Sequence, residues 1–83
     1  MGVVTYYVAI AFVATESGDL VTGHAIQCQT SGSAVRAAER LAKTFAGAIA
    51  FSRTGDPAIG EFEDAVVIER FGEVDDAVLL RGP

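Results

Sequence analysis

"TYYVAIAFV", Thr5 to Val13, is too uniformly apolar for a strand with one wet face. Its β-branched and aromatic content predicts a central strand. Alternate residues divide by size: Tyr6, Val8, Ile10 and Phe12 are large, whereas Tyr7, Ala9, Ala11 and Val13 are mostly small. One set therefore belongs to a core, and the other needs cover from something packed closely or from a second subunit.

Working outward, Glu16-Ser17-Gly18-Asp19 has the residues of a hairpin loop, which predicts that Leu20 to Gln29 returns antiparallel as a second, wetter strand. "TSGSAVRAAERLAKTFAG" follows and reads as a helix. Ala34, Val35, Ala38, Leu41, Ala42 and Phe45 recur at helical spacing, with Arg36, Glu39, Arg40 and Lys43 on the opposite face. Ser31 or Ser33 suits the N-cap, and Gly47 suits a left-handed position past the last turn. Ala48 to Arg53 then predicts a third strand and Asp64 to Phe71 a fourth, bounded by Gly60 and Gly72. The expected fold class is α+β: a β-β-α-β-β chain forming a mostly antiparallel four-stranded sheet with one helix packed on one face. Residues 1–74 make a single domain. Residues 75–83 are a C-terminal tail, for which an added edge strand and a disordered end both stay open.

Composition bounds the function. In 83 residues a single core forms, and 51% apolar content supports it. Cys28 is the one cysteine, so no internal disulfide exists, and the first residues lack the basic region of a secretory leader. Tyr6 to Ala14 is the longest apolar run, well under the roughly 20 residues of a membrane helix. A cytoplasmic protein without a membrane span is expected. Net charge is −5, and it is unevenly placed: up to Arg53 three acids face four bases, and from Thr54 onward eight acids face two bases. Such a balance opposes nucleic-acid binding, which leaves the small basic face Arg36–Arg40–Lys43 as a solvated surface.

Within this frame "AFSRTGDPAIGEFEDA", Ala50 to Ala65, is the most distinctive stretch. Arg53, Thr54, Asp56, Glu61 and Glu63 form a candidate ligand or partner loop, with exposed N–H groups beside an arginine able to hold a phosphate or carboxylate. Against that reading, no Gly-Lys-Ser/Thr follows the turn, and the loop's acids repel anions. The simpler expectation is a turn in which Arg53 pairs with one of the acids. The acids do not match the ligand ladder of an EF-hand, so no metal is expected. His24 and Cys28 lie four residues apart on one strand, about 13 Å, too far to share a zinc ion. No cofactor motif and no catalytic constellation is present.

Because one helix covers one sheet face, Tyr6, Val8, Ile10 and Phe12 are the candidate interface for a homodimer or another protein; the alternative is a tail that folds back over them. Taken together, the residues read as a small non-enzymatic binding or assembly module that self-associates through its sheet. A second possibility is an enzyme-like domain using Arg53 for an anionic substrate and Glu61 or Glu63 as base.

The segments "YYVAIAFV", "ESGDLV", "AVRAAERLA" and "AGAIAFSRTGDPAIGEFEDAVVIERFGEV" resemble a group of short alphaproteobacterial proteins with no assigned activity, across Tyr6 to Val74. This resemblance implies a bacterial cytoplasmic origin and supplies no catalytic residue. "TYYVAIAFVATESGDLV" before a helix is similar to the opening of HicB-type antitoxin domains, which implies an antitoxin-like regulator that binds a toxin. The proline-containing segment that usually leads into that helix is absent here, and two further strands follow it.

Overall fold

A computed structural model describes residues 2–75. The elements run β1 (Val4–Ala14), β2 (Leu20–Cys28), α1 (Ser31–Thr44), β3 (Gly47–Asp56), β4 (Glu61–Phe62) and β5 (Val66–Gly72). The chain is a small α+β fold in which every strand pairing among the described residues is antiparallel. β1 lies between β2 and β3. β4 and β5 share the other edge of β3, β4 against Gly55–Asp56 and β5 against Gly47–Ser52. The described sheet thus has five strands rather than four. The extra one is a two-residue strand inside the expected loop, and β3 runs on to Asp56 instead of ending at Arg53.

Local chemistry explains each joint. In the β1–β2 turn, the Thr15 N–H donates to the Asp19 carbonyl (2.8 Å) and the Gly18 N–H to the Thr15 carbonyl (2.9 Å). Gly18 supplies the positive φ of 91° that the turn requires. At the helix start the cap is Thr30, one residue before Ser31. Its Oγ1 accepts from the Ser33 N–H (3.1 Å), while Ser33 Oγ accepts from the Thr30 N–H (3.2 Å). This reciprocal pair satisfies two donors, with Ser33 in the place usually held by Glu or Gln.

The helix ends differently from the sequence expectation. Phe45 takes an extended conformation (φ −111°, ψ 178°), and its N–H still reaches the Leu41 carbonyl. Gly47 has no left-handed φ; it is the first residue of β3. Its lack of a side chain serves another purpose. A Cβ there would collide with the main chain of Glu73, falling 2.6 Å from that residue's nitrogen. The Glu73 N–H donates to the Ala46 carbonyl (3.1 Å), and the Ala46 N–H donates to the Phe12 carbonyl (3.0 Å). Gly47 is therefore a crossing point for the chain, not a helix cap.

The helix-side core is built of alanine. Ala9 and Ala11 from β1, Ala48 and Ala50 from β3, and Ala34, Ala37 and Ala38 from α1 are buried together with Leu41. Small side chains on both surfaces bring the helix close to the strands, and bulk is placed around the seam by Tyr7, Ile26, Cys28, Val35, Phe45, Ile68 and Phe71.

The opposite face carries the large residues. Tyr6, Val8, Ile10 and Phe12 alternate with the alanine-side residues of β1. Across the ladder Val8 opposes Phe51 and Ile10 opposes Ile49. Phe12 and Ile49 are fully buried, near the Glu73 crossing, whereas Tyr6, Val8, Ile10 and Phe51 are half-buried. No described helix or strand packs across the middle of this face. The remaining tail, on which an added edge strand or a covering role was expected, lies outside the described residues from 76 onward. Among the described residues no helix is long and apolar enough to cross a membrane.

Candidate recognition site

The Ala50–Ala65 stretch folds into a hairpin with a defined tip. Asp56 precedes Pro57, whose fixed φ suits the second position of a turn. The Ile59 N–H donates to the Asp56 carbonyl (3.3 Å), and the Ala58 N–H donates to Asp56 Oδ1 (2.9 Å). Gly60 closes the turn with φ 70°. The chain then returns along β3, where Glu61 pairs with Asp56 and Phe62 with Gly55, and the Glu63 N–H donates to the Thr54 carbonyl (2.8 Å). Asp56 is thus a turn-forming residue, and its carboxylate is engaged by the backbone.

Gly55 does at this end of β3 what Gly47 does at the other. A Cβ on Gly55 would lie 2.6 Å from Phe62 Cα and against the Glu61 carbonyl. Val4, Tyr6 and Arg53 share a sheet face with Gly55 through the β1–β3 register. Phe62 is accordingly positioned beside Tyr6, with ring centroids 6.1 Å apart and planes inclined at 42°. The Arg53 guanidinium carbon sits 5.9 Å from the Phe62 ring centroid, and Arg53 Nε donates to the Glu63 carbonyl (3.3 Å). Such a cation–ring contact is worth about 0.5–1 kcal/mol at an accessible site.

The expected pairing of Arg53 with a loop carboxylate gives way to these contacts. Its Nε partner is the Glu63 main-chain carbonyl, because the return of the chain over Gly55 brings backbone rather than a side-chain acid to the arginine. Thr54, one residue on, faces the other side of β3, where its Oγ1 lies 2.9 Å from Thr5 Oγ1. Arg53 and Thr54 therefore do not act on one ligand from one side.

What the fold does bring together is acidic and apolar. An open depression of about 650 Å³ at the hairpin is lined by Val3, Asp56, Ile59, Glu61, Phe62 and Glu63, together with Gly55 and Gly60. Ile59 is 65% exposed, Val3 72% and Phe62 40%. Arg53 is not part of the lining. Among the described residues the lining has three acids and no basic residue, an arrangement suited to cationic groups with apolar company. Sequence reasoning selected the acids and missed Val3, Ile59 and Phe62. The available signal was the presence of two large apolar residues, Ile59 and Phe62, within a turn that a solvated loop would not need to carry.

His24 is exposed on β2, whereas Cys28 packs against the helix-side core with its Sγ 3.7 Å from the Ile26 carbonyl. Among the described residues no three His, Cys, Asp or Glu side chains converge as metal ligands. The basic residues Arg36, Arg40 and Lys43 are exposed on the outer surface of α1. No protein-family model, curated protein or solved structure matches the chain.

Proposed function

We propose that this chain is a small, non-enzymatic protein-binding or assembly module of the cytoplasm, self-associating through the sheet face opposite α1. The observation that carries this reading is the row Val8, Ile10 and Phe51, large apolar side chains left half-buried in the middle of a face with no described helix or strand across it, continued by Tyr6 at the hairpin end beside Phe62. Contiguous apolar surface of this kind marks interaction sites, and twofold self-pairing is the commonest way to cover it. Tyr6, Val8 and Ile10 are the accessible part of the interface; Phe12, expected among them, is fully buried within the monomer and presents no surface to a partner. The hairpin at one end of the same face then serves recognition.

Sedimentation velocity over a dilution series tests the proposal. The expected result is a dimer that dissociates on dilution and is lost in Val8→Lys, with circular dichroism unchanged. A chain that stays monomeric at high concentration overturns it.

A further inference from the structure

Beyond self-association, we infer that the depression at the β3–β4 hairpin docks a basic protein segment carrying one apolar anchor residue, an aliphatic or aromatic side chain flanked by Lys or Arg.

Three features of the site converge on that partner. The first is exposed apolar surface held in one place: Val3, Ile59 and Phe62 are 72%, 65% and 40% exposed around one concavity. Desolvating them is favourable for whatever apolar group enters, at about 25 cal/mol per Å² buried. The second is charge. Asp56, Glu61 and Glu63 line the same depression as the apolar residues, and Arg53, whose guanidinium lies beside the Phe62 ring and donates to the Glu63 carbonyl, offsets one of these three charges and leaves the site acidic. Cationic groups flanking the anchor are attracted and anionic ones excluded, which gives specificity more than affinity. The third is preorganisation. The turn is closed by two hydrogen bonds to Asp56, the strand return is pinned over Gly55, and Phe62 is held beside Tyr6 and Arg53, so docking orders little of the hairpin.

The volume, about 650 Å³, admits a short stretch of chain, not a lone ion. A second copy of this protein is the weaker fit. Among its described residues, Arg36, Arg40 and Lys43 on α1 offer charge without an anchor, because Val35 packs into the helix-side core and the large exposed apolar residues lie outside α1, whereas β5 carries the exposed Val66 and Arg70 but sets Arg70 between Glu69 and Glu73. The occupant is therefore a different protein.

Selection of a random peptide library displayed on phage against the full chain tests this. The expected outcome is enrichment of peptides in which Lys or Arg flank a large apolar residue, with binding that weakens as salt is raised. Ile59→Ser, at an exposed position that leaves folding intact, weakens those peptides at least about tenfold through loss of apolar contact. The double variant Glu61→Lys/Glu63→Lys selects acidic flanks instead. Val8→Lys retains the peptides, which separates this site from the sheet interface. No enrichment, enriched peptides without basic residues, or binding indifferent to Ile59→Ser and to the charge reversal each overturns the inference.

Discussion

The two faces of the sheet solve the same packing problem in opposite ways. Under α1 the strands present Ala9, Ala11, Ala48 and Ala50, and the helix answers with Ala34, Ala37 and Ala38, so that layer is thin and leaves no room for additional atoms. On the other face the same strands present Tyr6, Val8, Ile10, Phe12, Ile49 and Phe51, and among the described residues the chain approaches at the ends, crossing Gly47 with Glu73 and Gly55 with Phe62. The difference separates two kinds of packing: small side chains line the seam that α1 fills, and large half-buried ones line a face whose middle no described helix or strand crosses.

Breaking the completed face should have the largest effect. Ala38→Leu or Ala50→Leu forces extra methylenes into a seam with no space, and about 1–3 kcal/mol of stability is lost. In a domain of this size each kcal/mol corresponds to roughly 4–8 °C in melting temperature, which a thermal scan reads directly. A loss below about 0.5 kcal/mol would mean that the helix stands off the sheet.

The glycine crossings sharpen the comparison from the other side. Gly47→Ala must displace backbone, and it is expected to cost about 1–2 kcal/mol and to speed hydrogen exchange at the Glu73 amide. Gly47→Asn distinguishes the two explanations for this glycine. Asparagine tolerates a left-handed helix end but has a Cβ, so it should be as damaging as alanine. Tolerance of asparagine in a denaturant titration would restore the capping role.

Smaller still is Thr30→Ala, which removes the acceptor for the Ser33 N–H at the helix start. It is expected to cost about 1 kcal/mol in urea unfolding, with Thr30→Ser nearly neutral. The smallest change in monomer stability, under about 1 kcal/mol, belongs to Val8→Lys on the half-buried face, where the consequence is lost association and not unfolding.

Much of this was legible in the order of residues. The size alternation in "TYYVAIAFV" assigned β1 to a two-faced central position, and the spacing from Ala34 to Phe45 identified both the helix and its buried side. The misses have a common physical cause. Thr30 was passed over as cap in favour of Ser31 and Ser33, because several short polar residues in a row make local propensity indifferent among them and geometry decides. Gly47 looked like a helix terminator because a glycine after a helix is locally sufficient for one; its role arises from Glu73, distant in the chain. β4 escaped because a two-residue strand has no periodicity to detect. At the candidate site the acids were visible as a charge cluster. Val3, Ile59 and Phe62 join them only once β3 and β4 are paired and the N-terminal strand is laid alongside.

The most direct test of the account is sedimentation velocity on the native chain and on Val8→Lys across the same concentration range, with Arg40→Glu on the outer surface of α1 as a control. The account predicts reversible dimers for the native chain and for Arg40→Glu, and monomers for Val8→Lys. A native chain that is monomeric throughout, or dimers that survive Val8→Lys and dissociate in Arg40→Glu, would contradict it.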